Sequence, residues 1–522
     1  MQLLSSRHQQ PGTSMASTYL LMAAGWAHSN LWGDMQRILN LIDGKLVPGE
    51  SGEWIDSIEP ATSKAHAQIA ASNKADVDCA VDAASNAFNQ WSHTPAARRS
   101  ELLLKLAHEI DDHCERLASV EAIDQGQTIT FARTVDIPRA AANLRFFATA
   151  ILHDTDHVYH TDAPAVGSGA SMTYVKHVPR GVAGCISPWN LPLYLFTWKI
   201  APALAAGCTV VAKPSELSPA TACELGKLAI DVGFPAGVLN IIHGYGKDAG
   251  EPIISHPSVP SISFTGGTAT GARIASVAGP MFKRMSLELG GKNPFLIFED
   301  ADVDKAIDTA TRAAFTNQGE ICLCGSRIYA HESIFEKVVR GIAERAHTYA
   351  PGDPLDHKTR MGALISADHR AKIERIVDSA HALGGKIHCG GARPNNLPER
   401  VRDGFFYQPT VITGLVSDCD VEQEEIFGPV VSITPFATED EAIALANGTK
   451  YGLASVVFTE NINRAHRVAD LLHAGIAWIN CWMVRDLRTP FGGMKASGIG
   501  REGGIEALRF FTEARSTTVA FS

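Results

Sequence analysis

The stretch GVAGCISPWNLPLYLFTWKIAPALAAGCTVVAKPSE, residues 181–216, sets two short apolar runs on either side of a longer one. "GVAGCISP" has the length and branched-residue content of a strand. "LYLFTWKIAPALAAG" is long enough for a helix and stops at Gly207, a residue suited to a left-handed helix end; "CTVVAKPS" is strand-like again. Strand, helix and strand in so short a space form a crossover unit, which implies a parallel sheet. The rhythm continues downstream. Ser218-Pro219 predicts an N-cap and a first-turn proline opening "ATACELGKLAIDVG", and "GVLNIIHG" and "SISFTGG" read as further strands leading up to "RMSLELGGKNPFLIF". A second series is expected from Asp302 to about Leu487, with a long helix over "HESIFEKVVRGIAERAHTYA". Residues 60–155 read as mostly helical, because "ADVDCAVDAASNAFNQW" and "RRSELLLKLAHEIDDHCERLASVEA" are amphipathic at the helical period.

The chain has 522 residues, too many for one core, so two or three domains are expected. A composition of 45% hydrophobic and 20% charged residues with a net charge of −10 suits a soluble enzyme and offers no basic face to nucleic acid. Ten dispersed cysteines fit a reducing, cytoplasmic setting without disulfides. No apolar run reaches the ~20 residues of a membrane span. "STYLLMAAGWAHS" is short and apolar, but only Arg7 precedes it; Met15, Met22 and Met35 are possible starts, and patterned sequence begins near Ile38. Residues 1–34 are therefore expected to be a disordered extension outside the fold.

Chemistry-bearing residues cluster in five motifs. "SFTGGTATG" sets Gly266, Gly267 and Gly271 between a strand and a helix, where free N–H groups favour a phosphate; taken alone, turn chemistry explains it equally well. "HGYGKDAG" is a second such turn. "LELGGKNP" ends a strand on Glu288, and "QGEICLCGSR" carries Cys322 and Cys324 at a helix-to-strand turn. A cysteine and a carboxylate can serve as nucleophile and water-activating base, and Asn190 of "SPWN" can donate to an oxyanion. No further Cys or His stands near the cysteine pair at metal-ligand spacing, so no metal is expected.

Together, "ISPWNLPL", "VAKPSE", "FTGGTATG", "LELGGKNP", "FTNQGEICLCGSR", "EEIFGPV" and "PFGGMKASGIGRE" resemble, in order, the motifs of the aldehyde dehydrogenase superfamily from about Ile38 to Phe521. The resemblance implies an α/β fold with two doubly wound parallel-sheet domains and a small β oligomerisation element. The implied boundaries are 36–155 with 177–288 for NAD binding, 289–505 for catalysis, and 156–176 with 506–522 for assembly into a homodimer or homotetramer. It implies Cys322 as nucleophile, three residues after Gly319, with Glu288 as general base, Asn190 as oxyanion donor and no role for Cys324. The cofactor implied is NAD, held by Ile186, Ser187, Trp189, Lys213, Glu216, Gly246, Gly267, Glu425 and Phe427. A Glu216 carboxylate facing the ribose would repel the extra phosphate of NADP. The family often has serine at Gly267, so one hydroxyl contact to the pyrophosphate is absent.

Within the family, "INCWMVRDLRTPFGG", "NQGEICLCGSRI" and "SGIGREGG" look like the 2-aminomuconate and 2-hydroxymuconate semialdehyde dehydrogenases of ring catabolism. Such substrates carry a carboxylate remote from the aldehyde, which a guanidinium can hold bidentately. Arg139 and Arg485 are the candidates, with Arg488 able to replace Arg485. Each could equally be paired with a neighbour such as Asp136 or Asp486. Amino and hydroxy substrates are left open, as are a catalytically silent relative, opposed by the intact Cys322, Glu288 and Asn190, and a coenzyme A acylating one, opposed by Glu288.

Overall fold

The computed structural model describes residues 36–162 and 169–521, so the expectation for residues 1–34 lies outside the described residues. An eight-stranded sheet runs in the spatial order Gly498–Ile499, Arg284–Glu288, Ser261–Thr265, Val182–Ile186, Thr209–Lys213, Leu239–Ile241, Asn40–Ile42, Lys45–Val47. Its five central strands are parallel. Every residue of Thr209–Lys213 is buried, as expected of a strand covered on both faces. The three outer strands are antiparallel, so the sheet is mixed at its edges rather than parallel throughout.

The chain builds this sheet outward from Val182–Ile186 to Leu239–Ile241, then returns to lay Ser261–Thr265 on the other side of the first strand. That reversal leaves a crevice at the carboxyl ends of the two strands, the preferred ligand position in such sheets. The crossover helix Pro192–Ala206 has a first-turn proline, ends at Gly207 with φ 94°, and is buried over its whole length.

A second, seven-stranded sheet runs Lys386–Cys389, Thr410–Thr413, Val430–Phe436, Arg327–His331, Pro294–Ile297, Ala454–Phe458, Ile476–Ile479, parallel except for the first. "RMSLELGGKNPFLIF" thus feeds both sheets: Arg284–Glu288 closes one and Pro294–Ile297 starts the other. The link 289–293 bridges them beside the crevice. A third sheet pairs His157–Thr161 with Ser171–Pro179 and that strand with Thr512–Ala520, all antiparallel; the expected Gly/Ser-rich turn of this hairpin falls partly outside the described residues.

Three local expectations need correction. The helix expected over 98–122 is two helices, Ala96–Asp112 and Cys114–Gln125, broken at His113, whose ring nitrogen takes up the Glu109 carbonyl. Ser218 does not cap the following helix. Its hydroxyl donates to the Trp189 carbonyl, while Asp124 from a distant helix accepts the Ala220 N–H. The helix expected over 331–350 starts only at Phe335, and the mostly helical region opens with the hairpin Trp54–Glu59 and Lys64–Ala70.

Candidate active site

Cys322 is delivered by a strained turn. The helix Val303–Phe315 stops, and Asn317, Gln318 and Gly319 follow with φ of 50°, 55° and 71°. Left-handed conformations cost about 1–3 kcal/mol each for residues other than glycine, so surrounding contacts must hold them. Side-chain amides supply these. Asn317 donates to the Asn190 carbonyl (2.8 Å), Asn190 to the Glu320 carbonyl (2.7 Å), and Asn293 to the carbonyls of Cys322 (2.7 Å) and Cys324 (2.8 Å). Trp482 donates to the Leu323 carbonyl at 2.9 Å. Gly319 admits no side chain, because a Cβ would run into the Gly428 carbonyl. Among the described residues, no acceptor is within reach of the Cys322 backbone N–H, which leaves it free to donate beside the sulfur.

Two cavities meet at this sulfur. One, of about 680 Å³, lies at the switch-point crevice; Trp189, Asn190, Gly267, Cys322, Glu425 and Phe427 line it, and so do His369 and Lys372. The other, of about 460 Å³, is walled mainly by apolar groups, among them Leu191, Leu195, Leu323, Leu453 and Phe491, together with Tyr194, Glu288 and Arg485.

Glu288 ends the strand Arg284–Glu288, 3% exposed, and among the described residues neither of its carboxyl oxygens has a hydrogen-bond partner. Burial pushes its pKa well above the usual carboxylate range; the Glu502 charge adds to the rise, and Lys199, Arg501 and Arg485 oppose it. Burial likewise pushes the Cys322 thiol up, reinforced by Glu425 and Glu288 and opposed by Arg485. Cys322 at rest is therefore a thiol, with an unpartnered carboxyl group among the described residues on the wall of the same cavity. Cys324, buried in the core behind, is pushed up to about 12 by the same desolvation.

The crevice fits a dinucleotide. Gly267 opens the helix Thr268–Ala278, whose first N–H groups and dipole suit a phosphate. The buried hydroxyls of Ser187 and Thr265 have no partner among the described residues. Gly271 lets this helix pack on Leu289, whereas a side chain at Gly267 would meet nothing, so the missing serine there has no steric cause. Ile186 pairs in register with Lys213, and Lys213 Nζ donates to Glu216 at 3.1 Å. Trp189 meets Phe427 and His369 edge-on, at 5.3 and 5.4 Å between ring centres. Gly246 stands apart at the start of a short π-helical turn that passes Lys213.

Of the candidate arginines, Arg485 reaches the apolar cavity, where it lies 4.0 Å from the Phe491 ring centre and donates to the Tyr194 hydroxyl at 2.7 Å. Among the described residues no carboxylate pairs with it. Arg488 is committed to Asp486 outside. Arg139 does not line the cavity; it stacks 5.6 Å from the Tyr194 ring centre. Asp136 accepts the Tyr194 backbone N–H rather than pairing with Arg139.

Sequence reasoning missed Lys199, whose Nζ binds Glu502 at 2.9 Å and Ser263 at 3.1 Å beneath Glu288. The signal was present: a single lysine within "LYLFTWKIAPALAAG". His369 and Lys372 carried no such signal.

A sequence profile of the aldehyde dehydrogenase family matches residues 46–517. A 2-aminomuconic semialdehyde dehydrogenase of Danio rerio is 48% identical over 92% of this chain and 97% of its own length. A 2-hydroxymuconic semialdehyde dehydrogenase of Pseudomonas sp. (strain CF600) is 42% identical over 93% and 100%. The NAD+ complex of an aldehyde dehydrogenase from Bacillus cereus superposes with a TM-score of 0.89 at 37% identity, over 93% of this chain and 97% of that one. A dinucleotide crevice that opens onto a held cysteine, matched along nearly the whole chain by these relatives, leaves one assignment: the chain belongs to the aldehyde dehydrogenase family.

Proposed function

We propose that the protein oxidises 2-aminomuconate 6-semialdehyde to 2-aminomuconate with NAD, the related 2-hydroxymuconate semialdehyde being the alternative substrate. The carrying observation is Arg485. It is a guanidinium without a carboxylate partner among the described residues, in an otherwise apolar cavity that also holds Cys322 and Glu288. The guanidinium is partly buried on the cavity wall, where a ligand carboxylate would meet it as an ion-pair partner. The names of the two muconic semialdehyde relatives point the same way.

The reaction follows from the residues. Glu288 takes the Cys322 proton, and the thiolate, favoured by the Arg485 charge, attacks the aldehyde carbon. The oxyanion accepts from Asn190 Nδ2 and the Cys322 N–H. Bound NAD supplies the hydride acceptor. The carbon left on Cys322 is a thioester; Glu288, having passed the thiol proton to solvent, takes a proton from water, which attacks the thioester and releases the acid, and the proton returns to the departing Cys322 sulfur. Trp189, Phe427 and Glu425 would hold the nicotinamide side and Gly267 the pyrophosphate, with Ile186, Ser187 and the more distant Gly246 as further contacts toward the Lys213–Glu216 pair, which would meet the adenosine ribose. The Glu216 carboxylate disfavours a 2′-phosphate.

Coupled measurement of NADH formation tests this reading with both semialdehydes and a neutral aldehyde. Arg485→Ala should raise KM for the muconate semialdehyde about 10- to 100-fold, the worth of a charged hydrogen bond, and far less for the neutral aldehyde. Because Arg485 also acts on the Cys322 and Glu288 charges, Arg485→Lys serves as the control that keeps the charge and loses the fork. Equal losses on both aldehydes would contradict the clamp.

The assembly we propose is a homodimer or homotetramer built on the sheet of Ser171–Pro179, in the reducing cytoplasm that suits ten free thiols. Val158, Tyr159, Val519 and Phe521 are exposed on its outer strands and the segment just beyond, apolar surface that a partner would cover. Gel filtration should give a multiple of 55.9 kDa; elution at that mass itself would remove the proposal.

A further inference from the structure

We infer that Tyr194 is a specificity-determining residue whose phenol proton is donated to the substrate carboxylate held by Arg485. This inference rests on the carboxylated-substrate reading above.

Tyr194 is 4% exposed, yet it lines the cavity that holds Cys322, Glu288 and Arg485. Its backbone is gripped on both sides. The N–H donates to Asp136 at 2.8 Å, and the carbonyl accepts from Asn143 at 3.0 Å. The side chain therefore leaves the first turn of Pro192–Ala206, four residues after Asn190, in a fixed direction.

A phenol has one proton to give and an oxygen that can accept, whereas a guanidinium only donates. In the 2.7 Å contact with Arg485 Nη1 the Tyr194 oxygen must therefore be the acceptor. Its own proton is left over, and among the described residues nothing accepts it. That proton is available to a ligand that brings an acceptor into the cavity.

A carboxylate fits both requirements at once. One oxygen can face the Arg485 fork while the other accepts from the Tyr194 hydroxyl, and each donor polarises the other through their shared hydrogen bond. Arg139, which does not line the cavity, lies over the same ring 5.6 Å from its centre and adds positive charge near it. A neutral aldehyde would leave the phenol proton unspent, which is how one hydroxyl can discriminate.

Tyr194→Phe keeps the ring and the helix and removes only the hydroxyl. KM for 2-hydroxymuconate semialdehyde should rise roughly tenfold with kcat little changed, and KM for propionaldehyde should stay within about twofold. The Ki of hexa-2,4-dienoate, a six-carbon carboxylate without an aldehyde, should rise by a similar factor when it competes with propionaldehyde. Combined with Arg485→Lys, the two effects should be less than additive, since both act on one carboxylate. An unchanged thermal midpoint will show that Tyr194→Phe folds normally. If the Arg485 variants discriminate between the aldehydes while Tyr194→Phe does not, or changes both KM values alike, the Tyr194 inference is overturned and the substrate reading stands. If neither residue discriminates, the substrate reading falls and takes this inference with it.

Discussion

Cys322→Ala is expected to lower NADH formation at least ~10³-fold with every aldehyde, carboxylated or neutral, while NAD binding and thermal stability remain near those of the parent. The size of the loss follows from the role. Without the sulfur there is no covalent adduct, and the hydride would have to leave an uncharged, planar aldehyde carbon. Cys322→Ser should be nearly as poor, since an alcohol in the same surroundings is harder to ionise than a thiol. Cys324→Ala is the informative control: its sulfur is buried behind the loop, so activity should fall by no more than a few-fold. Burial and two carboxylates push the Cys322 thiol upward. Inactivation by iodoacetamide should therefore keep accelerating with pH past 9, the ordinary thiol value, rather than level off near neutrality. Activity retained in Cys322→Ala, or lost equally in Cys324→Ala, would displace the nucleophile from Cys322.

Much of this arrangement is legible in the sequence because the motifs sit where two sheets end. "ISPWN" and "SFTGG" read as strand ends followed by turns, and they prove to be the two sides of the crevice. The pairing of Arg485 with Tyr194 is not legible, because it joins residues 291 positions apart through a side-chain contact that no periodicity encodes. The same holds for Asn293, which sits within a quoted motif yet acts on carbonyls of a loop some thirty residues away. Local signals failed where tertiary contacts took over a local job. Ser218 has the composition of a cap, but Asp124 accepts the helix N–H and frees its hydroxyl for Trp189. The break at His113 was hidden because both halves of "RRSELLLKLAHEIDDHCERLASVEA" keep helix-forming residues through it. Arg485 and Arg488 look equivalent on paper; an adjacent Asp486 that claims one of them decides between them.

Glu288→Gln should separate the two halves of the reaction. Thioester formation can still occur if the thiol finds another base, but hydrolysis needs a group that accepts a proton from water, and an amide cannot. A burst of NADH approaching one equivalent per active site should appear, followed by a steady rate lower by about 10²- to 10⁴-fold. The pH dependence carries the sign of the perturbation. Because burial raises the Glu288 pKa, the carboxylate form needed for hydrolysis disappears as pH falls through that raised value, and the acid limb of kcat should lie above the ordinary carboxylate range. Glu288→Gln should remove that limb. Stability should move the opposite way. A carboxyl group that holds its proton more tightly folded than unfolded contributes stability below the ordinary pKa, and that contribution is lost as pH rises through the raised value. Above that range the folded enzyme carries a buried, unpartnered charge that glutamine would spare it. The thermal midpoint of Glu288→Gln should therefore exceed that of the parent at alkaline pH, with the gap closing as pH falls. A loss of stability at alkaline pH, or a steady rate that falls without a burst, would mean that Glu288 holds the site together rather than activating water.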